Sequence, residues 1–261
     1  MLQISPIKAF LDNYIWMVEC ESYSGAYLVD PGDGDASQSA LDKAQLDLLG
    51  ILITHHHPDH TGGIDTLLKR YSVPVYGPVN AAIPQITHVL RQGDTIEVFD
   101  SVFSVLEVPG HTLDHIAYFA DGSDNDCQPV LFCGDTLFAA GCGRVFEGDP
   151  AMMLKSLTAL RELPGATQIY CAHEYTMGNL SFAQAVEPYN QDLLRRIDSD
   201  QALRDKGIPT VPSIIATELA TNPFLRCDQA SVQTAVAAKL TQADCGEADV
   251  FAAVRSWKDN F

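Results

Sequence analysis

The sequence predicts an α/β fold over its first two thirds and a purely helical segment after it. Three observations carry this. Short apolar runs alternate with turns and helix-length segments up to about residue 174, helical periodicity without strand-like runs takes over after Tyr175, and His and Asp residues recur directly after the apolar runs. In order, strands are predicted at Gln3–Phe10, Ile15–Cys20, Ala26–Val29, Ile51–Thr54, Val73–Tyr76, Phe103–Val108, Ile116–Phe119 and Val130–Cys133. Helices are predicted between them at Ala36–Leu49, Asp65–Tyr71 and Ala151–Leu163, the last started by Asp149-Pro150. The later helices are Leu180–Val186, Asp192–Leu203, Gln229–Leu240 and Val250–Trp257, separated by Pro209, Pro212 and Pro223. The shift in character places a domain boundary near residues 172–178. No internal repeat and no low-complexity segment is present.

Composition narrows the function class. With 261 residues and 46% apolar content the chain can bury a full core. A net charge of -18, from 16 Lys and Arg against 34 Asp and Glu, argues against nucleic acid, because phosphate binding needs a basic surface. An anionic small substrate would therefore need a local basic pocket. No stretch reaches the roughly 20 apolar residues of a membrane helix, and the start Met1-Leu2-Gln3-Ile4-Ser5-Pro6 has no signal-peptide pattern. The seven cysteines, Cys20, Cys127, Cys133, Cys142, Cys171, Cys227 and Cys245, are odd in number and lack CxxC spacing. They read as free buried thiols in a reducing compartment, so a cytoplasmic location is expected.

The densest chemistry is Thr54-His55-His56-His57-Pro58-Asp59-His60. It follows the apolar run Ile51-Leu52-Ile53 and precedes Gly62-Gly63 and a helix-like stretch, which sets the ligands on a strand-to-helix turn. In an extended segment alternate side chains share a face, so His55 and His57 can reach one metal while Asp59 and His60, past the bend, face another. Alternation turns His56 the other way. His56, His88 and His115 are read as supporting or structural. Asp30 either positions a ligand or forms the Pro31-Gly32 turn. Three more residues follow apolar runs: His111 in Pro109-Gly110-His111, Asp135 in Cys133-Gly134-Asp135, and His173 in Cys171-Ala172-His173. Strand exits along one sheet edge are where loops converge. The natural division is His55, His57 and His111 on one metal and Asp59, His60 and His173 on the other, with Asp135 bridging. Each metal keeps an open position, as catalytic sites do. Mixed imidazole and carboxylate ligands suit two divalent ions, zinc first, with iron or manganese as alternatives.

This pattern resembles the metallo-β-lactamase superfamily, which implies an αββα sandwich over residues 1–174. The whole chain is similar to the glyoxalase II, or hydroxyacylglutathione hydrolase, family. That resemblance rests on Asp12-Asn13-Tyr14, Val29-Asp30-Pro31-Gly32, Gly134-Asp135-Thr136-Leu137-Phe138, Gly141-Cys142-Gly143-Arg144, Cys171-Ala172-His173-Glu174-Tyr175, Asn222-Pro223-Phe224-Leu225-Arg226 and Arg255-Ser256-Trp257-Lys258. It implies that Arg144, Phe146, Tyr175, Arg255 and Lys258 hold the glutathione moiety, with residues 175–261 as a helical substrate-binding domain. Family members carry Lys and Tyr where this chain has Arg144 and Phe146, so one hydroxyl is lost. Arg recognises carboxylates in bidentate fashion and Lys supplies a point charge, which fits the two carboxylates of glutathione.

The implied activity is hydrolysis of S-D-lactoylglutathione to glutathione and D-lactate by a monomer that needs no nucleic acid or membrane partner. Two dications acidify water from about 15.7 toward roughly 7, so hydroxide is available at neutral pH. Asp59, His60 and Asp135 act in catalysis as ligands, with no separate base, and a thiolate leaving group needs little acid assistance. Two rivals remain at this level: a persulfide dioxygenase, which uses one iron on the same scaffold without the helical tail, and a non-catalytic binding module that kept the fold.

Overall fold

The computed structural model describes residues 1–123, 128–240 and 246–261. These fall into two units, Met1–Glu107 with Asp114–Gly134, and Val108–Leu113 with Asp135–Phe261. Cys127 and Cys245 lie outside the described residues, whereas Cys20, Cys133, Cys142, Cys171 and Cys227 are buried thiols outside any disulfide, as expected.

In the first unit, β1 (Leu2–Ala9), β2 (Asn13–Cys20) and β3 (Gly25–Val29) pair antiparallel. The crossover helix α1 (Gly34–Ala44) then leads into β4 (Asp47–Leu52), which lies parallel to β3. After the short helices α2 (Pro58–Thr61) and α3 (Ile64–Leu68), strands β5 (Val75–Gly77) and β6 (His88–Val89) complete a six-stranded sheet in the order β1-β2-β3-β4-β5-β6. Leu41 of α1 and Ile64 and Leu67 of α3 bury against Leu28 and Ile51 of the sheet. The unit also holds an antiparallel run of β7 (Thr95–Val98), β8 (Ser101–Glu107), β9 (Ile116–Ala120) and β10 (Val130–Gly134). The buried Tyr118 hydroxyl on β9 donates to Ile53 O at 2.8 Å, tying this run to the end of β4.

Several boundaries differ from expectation, among them two in helices. The helix expected over Ala36–Leu49 stops at Ala44, and Asp47 onward joins β4. Gln45 adopts a left-handed conformation with φ 59°, and its N–H caps carbonyls of the last turn, so the chain reverses into the strand. The helix expected over Gln229–Leu240 splits into an α-helix over Ala230–Val236 and a 3-10 turn over Ala237–Lys239.

The second unit begins with the hairpin β11 (Leu137–Phe138) and β12 (Gly141–Cys142), followed by α4 (Pro150–Arg161) and β13 (Gln168–Cys171). Asp149 caps α4 by accepting from Met152 N, as its position before a proline predicts. Then come α5 (Thr176–Val186), α6 (Gln191–Arg204), β14 (Ser213–Ile214), the unanticipated α7 (Ile215–Thr221), α8 (Ala230–Val236) and α9 (Glu247–Asp259). An aromatic cluster of Phe182, Phe224, Phe251 and Trp257, with ring centroids 5.5 to 6.0 Å apart, packs α5, α9 and the Pro223–Leu225 turn together. Among the described residues no helix is long and apolar enough to cross a membrane.

A buried polar network holds the hairpin to the helices. Glu218 is fully buried; its Oε1 accepts from Arg196 Nη2 at 2.7 Å, while its Oε2 accepts from Ala140 N at 2.8 Å and Asn222 Nδ2 at 3.0 Å. Asn222 Nδ2 also donates to Gly141 O at 2.9 Å. Glu218→Ala strips the buried Arg196 guanidinium of its fully buried counter-charge, leaving only Asp200 at 3.2 Å, and is expected to destabilise the fold by about 3 kcal/mol. Urea unfolding checks this, and an unshifted midpoint would rule the network out as a support.

Candidate metal centre and substrate cavity

The first unit presents the loop after β4. Thr54 is pinned by Asp30, whose carboxylate accepts from Thr54 N at 2.8 Å and Thr54 Oγ1 at 2.7 Å. Since that hydroxyl donates to Asp30, its oxygen accepts from His55 Nδ1 at 3.0 Å, which turns His55 Nε2 toward His57 Nδ1, also at 3.0 Å. His60 Nδ1 lies 3.0 Å from Asp30 Oδ2, and an ionised carboxylate only accepts, so Nδ1 carries the proton. His60 Nε2 then directs a lone pair at Asp59 Oδ2, 3.4 Å away. Asp59 Oδ2 is itself held by Asn13 Nδ2 at 2.9 Å. Asp30 thus positions a ligand candidate, resolving its two sequence readings. Gly32 is required here, because a Cβ would stand 1.7 Å from Asp59 O. His56 turns away to Asp114 at 2.9 Å and His115 stacks on His55 at 4.5 Å, both supporting roles. His88 sits at a sheet edge against Tyr76, 4.8 Å between ring centroids.

The second unit presents His111, Asp135 and His173, each at most 6% exposed. His111 Nδ1 donates to Arg144 O at 2.8 Å, a carbonyl that only accepts, so its Nε2 lone pair faces Asp135 Oδ2 at 3.4 Å. The other oxygen, Asp135 Oδ1, faces His173 Nε2 at the same 3.4 Å. One carboxylate therefore turns each oxygen to a different imidazole, the arrangement of a bridging ligand. Gly143 passes so close that a Cβ would lie 2.0 Å from Asp135 O. Tyr175 stacks on His173, centroids 4.6 Å apart and planes within 7°.

These pairings suit cations. His60 Nε2 against Asp59 and His111 Nε2 against Asp135 each set a lone pair opposite a carboxylate oxygen, acceptor against acceptor. A divalent ion at such a position turns the repulsion into two coordinate bonds. Side chains of this kind that are able to hold metal ions stand on each unit, among them His55, His57, Asp59 and His60 on the first and His111, Asp135 and His173 on the second.

A cavity of about 640 Å³ opens in the second unit. His111 and Asp135 line it together with Arg144, Phe146, Tyr175, Arg255 and Lys258, so all five residues implied for substrate meet two of those implied for metal. Lys258 Nζ donates to Gly178 O at 3.0 Å, and burial, reinforced by Arg255 and Arg144, holds its ammonium pKa below the ordinary lysine value. Phe146 stands exposed at the rim with its ring 5.2 Å from His111. Sequence reasoning missed further lining residues, among them Phe138, Glu174, Met177 and Asn179. Phe138 and Glu174 stand inside the quoted motifs without an assigned role and Met177 and Asn179 lie outside them, so the folded cavity is what brings the four together.

Comparison with known proteins agrees with this geometry. The model for the metallo-β-lactamase superfamily matches residues 10–173, and that for the hydroxyacylglutathione hydrolase C-terminus matches residues 174–261. The hydroxyacylglutathione hydrolase of Hahella chejuensis is 51% identical over 100% of both chains. The chain belongs to the hydroxyacylglutathione hydrolase family. Membership makes it a hydrolase with the metallo-β-lactamase fold and an added helical C-terminal region, as the α/β expectation had it. Among solved structures, ETHE1 from Myxococcus xanthus is 30% identical with a TM-score of 0.58, over 67% of this chain and 76% of its own. TTHA1623 in a di-iron-bound form is likewise 30% identical, TM-score 0.53, over 65% of this chain and 91% of its own.

Proposed function

We propose that the protein hydrolyses S-D-lactoylglutathione and related 2-hydroxyacylglutathiones to glutathione and the 2-hydroxy acid, the second step of methylglyoxal detoxification. The observation that carries this reading is the single cavity in which His111 and Asp135 stand beside Arg144, Arg255 and Lys258. Metal-ligating side chains and carboxylate-binding cations are thereby within one substrate's length. His55, His57 and His111 would hold one ion and Asp59, His60 and His173 a second, with Asp135 between them. Zinc is the first choice by ligand chemistry, iron or manganese the alternatives. Bound there, two divalent cations supply an acidified water and a Lewis acid for the thioester carbonyl.

The chain's own residues do the rest. Asp30 and the Arg144 carbonyl hold His60 and His111 in the tautomer that frees Nε2. Arg144, Arg255 and Lys258 take the carboxylates of the glutathionyl moiety, and Phe146 and Tyr175 flank it. The helical region from residue 175 serves as the substrate-binding domain. The departing glutathione thiolate needs no proton donor, given a thiol pKa near roughly 8.5. Buried thiols outside any disulfide suit a cytoplasmic protein, which we take to be a monomer, and the acidic composition suits neither nucleic acid nor membrane.

Metal analysis of the purified protein with a lactoylglutathione hydrolysis assay tests the reading. Absent hydrolysis by metal-replete protein, or oxygen uptake with glutathione persulfide instead, would reject it. Asp30→Ala frees His60 from its orienting carboxylate and is expected to weaken metal affinity about 10–100-fold by chelator competition. Converting Arg255 or Lys258 to Ala should raise KM several-fold with a smaller loss in kcat, less so at high salt. Because Lys258 binds as an ammonium whose pKa is lowered, its contribution is complete at neutral pH and fades as pH rises through that lowered value, below the ordinary 10.5. The wild-type KM should climb in that range and that of Lys258→Ala should not.

A further inference from the structure

We infer that Asp259, the last residue of α9, is a positioning residue that presents the cavity arginines to the substrate's carboxylates; this rests on the substrate reading above. Its Oδ1 accepts from Arg255 Nη2 at 2.9 Å and lies 3.7 Å from Arg144 Nε, so one carboxylate oxygen faces two of the three cavity cations. Arg255 is 6% exposed. On its other edge Nη1 donates to Cys142 O at 3.0 Å, and the guanidinium sits 4.9 Å over the Phe224 ring. Three partners thus fix its plane. The buried Nε meets no acceptor among the described residues, and Arg255 itself lines the cavity.

Two effects of Asp259 oppose each other. As a negative charge it weakens the attraction of the cavity for anions. As the acceptor that clamps Arg255 it keeps a bidentate donor in the geometry a carboxylate needs. The first effect is screened, since the Asp259 side chain is 39% exposed, whereas the guanidinium it holds is 7% exposed and has few ways to regain its pose. Positioning outweighs attenuation, which fixes the sign of the experiment.

Asp259→Ala should raise KM for S-D-lactoylglutathione about fivefold while kcat stays within about twofold. Asp259→Glu should recover most of the loss. Asp259→Asn keeps shape and one acceptor without charge, and should fall between wild type and Ala. A small thioester without the glutathionyl carboxylates should be hydrolysed equally by all four proteins. A KM that falls or holds in Asp259→Ala or Asp259→Asn overturns the inference, and so does an equal loss on the small thioester, which marks general distortion. Lys258→Ala, assayed alongside, separates the causes. If it raises KM and the Asp259 variants do not, positioning alone fails; if it too leaves KM unchanged, the cavity is not the carboxylate site and both readings fall.

Discussion

Asp135→Ala is expected to abolish thioester hydrolysis, by at least about 10³-fold, and to lower metal content at both sites together. The argument is electrostatic. Its two oxygens face His111 Nε2 and His173 Nε2 at 3.4 Å each, so in the proposed two-metal reading this carboxylate would serve both ligand sets. In that reading its removal would leave two dications facing each other with one neutralising anion fewer, and loss of either ion would remove several kcal/mol of transition-state stabilisation, each about 1.4 kcal/mol being tenfold in rate. His57→Ala, at one site only, should deplete one ion more than the other. Elemental analysis of both variants beside the hydrolysis assay decides the matter. Near-wild-type activity in Asp135→Ala would sink the two-metal reading.

Truncation near residue 174 is expected to have the other largest effect. The helices it removes carry Phe182, Leu180, Phe224, Phe251 and Val254, all at most 1% exposed. Within the second unit α9 packs on α4, so deletion uncovers the apolar side of α4, where Met153, Leu157 and Leu160 are fully buried. It also deletes Glu218 and Asn222, which secure Ala140 and Gly141 of the β11–β12 turn. An exposed apolar face of that kind drives association. The fragment should aggregate, bind metal weakly, and lose hydrolysis of lactoylglutathione far more than of a small unnatural thioester. A soluble fragment with unchanged kcat/KM would mean that the helices contribute no substrate contact.

Much of the architecture is legible because it is written in local period and punctuation. Buried strands appear as apolar runs, Asp149-Pro150 marks a helix start, and four of the candidate metal ligands sit in one motif whose spacing is itself chemistry. Short elements escaped. Strands β6, β11, β12 and β14 are two residues long and α7 only seven, too few for a period to emerge. The end of α1 escaped because Gln45 carries no sign of a left-handed turn, whereas glycine would have.

What the sequence determined by itself is the inventory: which side chains have the chemistry to hold cations, which have the chemistry to hold carboxylates, and that the first follow strand-like runs. Residue type fixes chemistry regardless of fold. What only the tertiary structure decided is partnership. Asp30 could equally have been a turn residue until its carboxylate was found on Thr54 and His60, 24 and 30 residues away. Asp259, an ordinary charge on a helix end in the sequence, became the clamp on Arg255 and Arg144. Arg255 and Lys258, one turn apart on α9, read as a solvated face in isolation, yet they line the cavity of His111 and Asp135. Contacts between residues more than a hundred positions apart, such as Arg255 with Cys142, depend on how buried surfaces pack across the unit, and no window of sequence contains that information.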